Sequence, residues 1–289
     1  MKRVLISGAS GNVGLEVIRS LITYSNSIDI VAGLRNPEND RSKFDSQNVE
    51  VVKFDFEDPA TFLGALKNTD ILFLLRPPQI TDMDCFKPLV EAAKKSNIRH
   101  IVFLSVQGVE KSKIIPHHKI EKLIKESKIP YTFLRPAYFM QNFTTTLQKD
   151  LVQHQRIYLP AGDIKFTLVD VRDIGSFAAH VICNNTDHIN MAYELTCTEK
   201  LSFEEMANKM TAVFGIPIKY TSPNLLAFYL NKRKENMPTG FILVMIMLHY
   251  LPRFQKKPQI SNSIKLITGK MPITFDKFLE DFKHLMIKQ

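Results

Sequence analysis

Residues 2–14 read KRVLISGASGNVG, and the interpretation of this stretch decides the fold. Val4, Leu5 and Ile6 form a short apolar run that suits a buried strand. Three glycines follow at Gly8, Gly11 and Gly14, and residues 15–22, LEVIRSLI, carry helical periodicity. Strand, glycine turn and helix in that order are the setting a dinucleotide-binding loop requires. Gly8 permits a tight turn, Gly11 admits a pyrophosphate close to the backbone, and Gly14 lets the helix pack on its strand. The helix N-terminus then presents free N–H groups to phosphate. The spacing is GxxGxxG rather than GxGxxG, so the general fingerprint matches imperfectly. The alternative is a glycine-rich turn with no ligand.

Working outward, residues 28–34 (IDIVAGL) predict a second strand ending at Arg35. An acidic residue at this point holds a ribose 2′-hydroxyl, whereas an arginine suits a 2′-phosphate. Arg35 lies about 20 residues past the glycines, which points to NADP(H) in preference to NAD(H). The plainer reading is a solvated arginine. A third strand is expected at 49–54, followed by Asp55 and Phe56. Asp55 sits where an adenine contact can form, although capping a turn explains it equally well. Residues 70–75 predict a fourth strand, broken by Arg76-Pro77-Pro78, and 101–105 a fifth, ending at Ser105. Alternating strands and helices of this length imply a parallel sheet covered on both faces, an α/β, Rossmann-type doubly wound architecture. Ligands then gather at the carboxyl ends of the strands, where Gly8, Arg35, Asp55, Leu75 and Ser105 fall.

The 289-residue chain is 45% apolar and 23% charged, within the range of globular proteins. The apolar run 241–248, FILVMIML, is too short to span a bilayer and reads as a core helix or pocket wall. The first strand begins close to Met1, leaving no signal peptide, and Cys85, Cys183 and Cys197 show no metal or redox spacing. A cytoplasmic protein without a membrane partner is expected. The net charge of +9 includes +5 from Arg253 onward, where eight Lys or Arg face three Asp or Glu. These bases are scattered among apolar residues with no DNA-reading motif, so solvated surface rather than direct nucleic-acid binding is expected.

Residues 116–126 predict a helix and 130–136 a sixth strand. GASGNVG, the strand-end Arg35, FLSVQG, HHKIEKLIKES, YTFLRPAYFMQNF and TLVDVRDIG, in that order, resemble the NmrA-like group of atypical short-chain dehydrogenase/reductase proteins over residues 2 to 220. The resemblance implies a Rossmann core at 1–155 and a C-terminal portion at 156–289. That portion returns to the core near 165–184 and then forms a smaller, mostly helical substrate lobe. It also implies NADP(H) bound through Gly8, Ser10, Gly11, Asn12, Val13, Gly14 and Arg35. Later strand ends add Asp55, Phe56, Leu75 and Arg76, then Ser105, Val106, His117, Pro136 and Tyr138. Phe139, Met140 and Asn142 would line the acceptor pocket, although most residues of this type serve as core. Asp170 and Asp173 read as structural. Phe228, Tyr229, Met245 and Tyr250 are further pocket candidates that nothing ranks.

Working short-chain dehydrogenases carry Tyr-x-x-x-Lys on the helix after the fifth strand, with a glutamate commonly four residues beyond the lysine. If Glu121 is that glutamate, His117 stands at the lysine and Lys113 at the tyrosine. If Lys119 is the lysine, Ile115 replaces the tyrosine. Neither register supplies a phenol. His117 is the candidate acid, having an intrinsic pKa near neutrality, and Ser105 the candidate orienting group. The dull readings are a polar helix start and a satisfied strand end. The expected activity is NADPH-dependent reduction of a quinone-like or other small electron-poor acceptor by direct hydride transfer. The rival is a non-catalytic NADP(H) sensor acting through a protein partner, with a nucleotide-sugar epimerase-like enzyme a distant third. No metal is expected. Helices at about 203–214, 223–232, 239–250 and 275–287 form the second lobe, with Ser202 and Glu205 a capping box.

Overall fold

The computed structural model describes residues 1–24, 27–45, 48–77, 80, 82–111, 115–254 and 258–288. Pro78 and Lys113 lie outside the described residues. In chain order the strands are β1 (Lys2–Ser7), β2 (Ile28–Leu34), β3 (Val49–Lys53), β4 (Ile71–Leu75), β5 (His100–Leu104) and β6 (Tyr131–Pro136). There follow β7 (Tyr138–Phe139), β8 (Arg156–Tyr158), β9 (Lys165–Val169), β10 (Met191–Leu195), β11 (Lys200–Ser202) and β12 (Lys219–Thr221). The first six helices are α1 (Asn12–Tyr24), α2 (Pro37–Asp40), α3 (Ala60–Ala65), α4 (Phe86–Lys95), α5 (Pro116–Ser127) and α6 (Gln148–His154). The others are α7 (Val171–Cys183), α8 (Phe203–Phe214), α9 (Leu225–Lys234), α10 (Thr239–Tyr250), α11 (Ser263–Thr268) and α12 (Phe275–Met286).

The chain divides into two compact units. The first comprises Met1–Pro136, Val171–Leu195 and Ser263–Met271. Its seven-stranded sheet has the order β10-β6-β5-β4-β1-β2-β3, with every pair parallel. This is an α/β Rossmann-like fold. Val4, Leu5 and Ile6 are fully buried because β1 lies mid-sheet with both faces covered. In α1 the inward stripe is Gly14, Val17, Ile18 and Leu21, one face of a 3.6-residue period. That helix packs against α7, where a Cβ on Gly175 would stand 2.6 Å from the Glu16 carbonyl oxygen. The chain builds β2 and β3 to one side of β1 and the remaining strands to the other. The order therefore reverses between β1 and β4, and ligands of open α/β sheets settle at such a switch.

The second unit comprises Ala137–Asp170, Thr196–Asn262 and Pro272–Gln289. It thus takes in residues 137–155, which the sequence reading groups with the core. It holds two small sheets, β11-β9-β7 and β12-β8, and an aromatic-rich core including Phe143, Phe203, Phe228 and Phe275. The expected return to the core near 165–184 is made through α7 rather than through a strand at 165–169. β9 pairs with β7 and β11 in the second unit, α7 rejoins the first unit, and β10 supplies the seventh central strand. β10 is a five-residue edge strand, and its first two residues, Met191 and Ala192, are exposed.

The capping box forms as expected: Glu205 N–H donates to Ser202 Oγ at 3.2 Å and Ser202 N–H to Glu205 Oε2 at 2.7 Å. Of the two readings of 241–248, the core helix does not hold, since only Ile242, Met245 and His249 of α10 are buried.

Candidate functional site

The β1–α1 turn is built as a cradle. Gly8 adopts φ +59°, in the left-handed region that favours glycine. A Cβ there would meet Leu75 Cδ1 at 2.8 Å, so the turn lies against the end of β4. Ser7 Oγ accepts from Leu75 N–H at 3.1 Å, tying the two strand ends together. A Cβ on Gly14 would fall 2.4 Å from the Gly8 carbonyl oxygen and 2.7 Å from Ala9 Cα, so only glycine lets the helix sit this close. Gly11 and Asn12 are exposed, Ser10 is half-buried and Val13 is buried. The helical ladder begins with Leu15 N–H to Gly11 O at 2.9 Å. The amides of Asn12, Val13 and Gly14 precede that bond and belong to the unpaired first turn.

Arg35 follows β2 directly, is exposed, and has no side-chain partner among the described residues. A cation held free at this strand end fits a phosphate. Asp55 is engaged in its own turn: Oδ1 accepts from Glu57 N–H at 3.0 Å, and its carbonyl from Asp58 N–H at 3.1 Å. Turn capping therefore accounts for Asp55. Phe56 is buried against Phe54 and Phe86, with ring centroids 5.1 and 5.5 Å away, and serves the core.

Arg76 donates through Nη2 to the Ile80 carbonyl at 2.6 Å, while its buried Nε has no partner among the described residues. Burial lowers its pKa from the usual arginine value. Its charge bears on His117, the second residue of α5, whose Nδ1 is buried without a partner among the described residues and whose ring lies 6.0 Å from that of Phe103. Burial, with Arg76 adding to it, pushes the His117 pKa down to about 3. His117 is therefore neutral at pH 7. This corrects its expected titration near neutrality: the ring offers or accepts a hydrogen bond but stores no proton.

Ser105 lies buried just past β5. Its hydroxyl donates to Glu121 Oε1 at 2.6 Å, which removes the proton that would orient a substrate oxygen. Glu121 in turn accepts both Arg135 Nε (3.0 Å) and Nη2 (2.8 Å), a bidentate pair, and Arg135 Nη1 reaches Glu110 at 3.2 Å. Although burial alone would lower it, the bonds and charge of Glu121 and Glu110 raise the Arg135 pKa. Ser105, Glu121 and Arg135 thus lock α5 to the end of β6. Val106 is half-buried beside them, and the buried Pro136 accepts from Gln107 N–H at 3.0 Å. Sequence reasoning used Glu121 only to set a register; the Glu121–Arg135 pair has no signal in spacing because its members sit on different elements.

The remaining candidates lie in the second unit. Tyr138 and Phe139 form β7 and are half-buried, Asn142 is half-buried, and Met140 is fully enclosed in that unit's core. Met140 is therefore packing. The Tyr138 hydroxyl lies 3.1 Å from His249 Nε2, and His249 Nδ1 lies 2.6 Å from the Met245 carbonyl. A carbonyl only accepts, so Nδ1 carries the imidazole proton and Nε2 accepts from tyrosine. Burial raises the Tyr138 pKa against a hydrogen bond to Asn142, and lowers that of His249 to about 4. This pair was invisible in the sequence, where 111 residues separate its members. Of the ungraded pocket candidates, Phe228 and Met245 are buried core and Tyr229 and Tyr250 half-buried. Among the described residues no cluster of three or more His, Cys, Asp or Glu suits a metal.

Residues 1–279 match the family model described as the NmrA-like family. The Prestalk A differentiation protein A of Dictyostelium discoideum is 26% identical over 281 residues, covering 96% of this chain and 91% of that protein. An NAD(P)H azoreductase from Xenophilus azovorans is 25% identical over 279 residues, covering 95% of this chain and 96% of that protein. Among solved structures, an NADPH-dependent quinone oxidoreductase from Escherichia coli complexed with NADPH has TM-score 0.83 and 23% identity, covering 98% of this chain and 99% of that one.

Proposed function

The chain belongs to the NmrA-like family, and from that premise we propose that it is an NADPH-dependent oxidoreductase acting on a small, flat, electron-poor acceptor of the quinone or azo class. The observation that carries this is the β1–α1 cradle, in which a Cβ on Gly14 would collide with the Gly8 carbonyl, together with an exposed, unpaired Arg35. The glycine turn and the amides of Asn12, Val13 and Gly14 hold the pyrophosphate, and Arg35 holds the 2′-phosphate that distinguishes NADPH from NADH. Arg76 Nε and His117 Nδ1, both buried without partners among the described residues, supply further polar contacts. The relatives support the acceptor class, since one is named an azoreductase and another a quinone oxidoreductase.

When bound, the reduced nicotinamide supplies a hydride. The chain's own residues bind and orient; the Tyr-x-x-x-Lys pair is absent and His117 is neutral, so neither position brings a stored proton. Acceptors whose reduced form is stable as an anion suit such a site. A quinone takes hydride to become a hydroquinone anion, which water then protonates. Simple ketones and aldehydes, whose alkoxide products need an acid at the moment of transfer, are poor candidates.

The test is NADPH oxidation followed at 340 nm with a panel of quinones and azo dyes. Turnover well above the enzyme-free rate is expected, and NADH should serve less well. NADPH binding without turnover of any acceptor would replace this reading with that of a dinucleotide sensor.

A further inference from the structure

In α10, residues 241–248 are apolar without interruption, and a helix apolar on every side normally lies wholly inside a protein. Here only Ile242, Met245 and His249 face inward, at i, i+3 and i+7. Outward stand Phe241, Leu243, Met247 and Leu248, continued by Leu251 and Phe254, with Leu243 55% and Phe254 73% exposed. The preceding α9, packed against α10, adds Leu226 (67% exposed) and Leu230. The outward face of α10 carries no charge, and scattered single hydrophobics would need no explanation where this run does.

The charges flanking it have one sign. Arg233 and Lys234 close α9 and Arg253 follows α10, all three exposed. Over residues 225–257 the sequence carries six Lys or Arg against one acid, Glu235. That acid is committed to the buried Lys232, at 3.1 Å. An apolar helix face bordered by exposed bases is the composition of a surface that enters the boundary of an anionic bilayer. At 12 residues, α10 is about 18 Å long, well short of the ~30 Å needed to cross. Self-association through the same face is disfavoured, because a two-fold contact sets like-charged rims against each other.

We propose that the outward face of α10, with the turn ending at Phe254, docks the protein reversibly onto anionic phospholipid membranes. The sequence reading expects no membrane partner because it weighs only spanning segments. This inference stands apart from the redox reading, since adsorption requires no cofactor.

The experiment is co-sedimentation of the full chain with vesicles of phosphatidylcholine alone or mixed with phosphatidylglycerol, alongside light scattering to fix its mass in solution. Binding should be at least about tenfold tighter to the anionic vesicles and largely lost in 0.5 M salt. Leu243→Glu with Met247→Glu should abolish it with circular dichroism and melting unchanged, because both side chains point to solvent. Arg233→Gln with Lys234→Gln should weaken it ~25-fold, about fivefold per base. Three results would overturn the proposal. They are indifference of the full chain to anionic vesicles, undiminished binding by either double variant, and a dimer in solution that the glutamate variant splits. The last would assign the face to a second copy.

Discussion

His117 in the first unit, half-buried with its Nδ1 enclosed, and His249 in the second, fully buried, are both forced neutral and opposite in one respect. His249 has its two ring nitrogens engaged, with Tyr138 and with the Met245 carbonyl. Among the described residues the Nδ1 of His117 has no partner, and neither does Nε of Arg76, whose charge bears on it. An unpaired buried polar atom costs about 1–3 kcal/mol, and native structures keep few of them. The Tyr138–His249–Met245 chain of the second unit closes its hydrogen bonds internally, although Asn231 Oδ1 of the same unit is buried without a partner among the described residues; the corner of the first unit near the switch between β1 and β4 leaves the Arg76 and His117 nitrogens open. The difference separates polar groups kept for the fold from polar groups kept for a ligand. Substitutions in the first class should cost stability, and those in the second should cost cofactor affinity.

The sharpest test in the stability class is Asp150. It is almost fully buried, pairs with the equally buried Lys232, and accepts from Arg156 Nε at 3.0 Å. Asp150→Ala leaves the Lys232 ammonium with Glu235 as its remaining acidic partner, so unfolding in urea should show a loss of about 3–5 kcal/mol. A loss below 1 kcal/mol would mean that the second unit's buried charges are not what holds it. In the affinity class the largest effect should come from Arg35→Ala. Losing a charged hydrogen bond costs about 1.5–3 kcal/mol, or roughly 10- to 150-fold in affinity for NADPH. Affinity for NADH and the melting temperature should hardly change. Equal weakening of both cofactors would remove Arg35 from the phosphate site.

How far the sequence discloses these two classes follows from the range of the interactions. The glycine turn, Arg35 at the strand end and the Ser202–Glu205 cap depend on neighbours close along the chain or on strand register, so their spacing is readable. The central sheet was readable through β6 for the same reason: each buried strand is an apolar run of its own. β10 escaped because it is a short edge strand reached after an excursion through the second unit. Pairings such as Glu121–Arg135, Asp150–Lys232 and Tyr138–His249 leave no periodic trace, since each joins separate elements. The neutrality of His117 was equally hidden, because a pKa is set by surroundings that only the fold assembles.

The paired histidine yields the next effect in size. Tyr138→Phe leaves His249 Nε2 a buried acceptor without a donor, which should cost about 1–3 kcal/mol at pH 7. Its titration adds a pH signature. The folded values for His249, His100 and His117 are about 4, 4 and 3, all below the ordinary 6.5. As pH falls through 6.5 the unfolded chain takes up protons that the native protein refuses. Stability is therefore full above about pH 7 and declines toward pH 4, each histidine contributing about 1.4 kcal/mol per pH unit. His249→Gln should flatten the stability profile between pH 6 and 5 by that amount, measured by urea unfolding at each pH. An unchanged slope would show that His249 is not held neutral.

The smallest effect should come from the unpaired histidine. His117→Gln removes no internal hydrogen bond through Nδ1, so stability should stay within about 0.5 kcal/mol. One neutral contact to a bound ligand is worth about 0.5–1.5 kcal/mol, so NADPH affinity should fall roughly two- to tenfold. Because the ring is already deprotonated far above its folded value of about 3, kcat between pH 5 and 8 should show no ionisation that this substitution abolishes. Were His117 instead the acid of the reaction, the variant would lose kcat with affinity intact, and the wild-type profile would break near pH 6.5. That pattern would also undo the contrast with His249, since a histidine charged in its working state is not a neutral contact left open for a ligand.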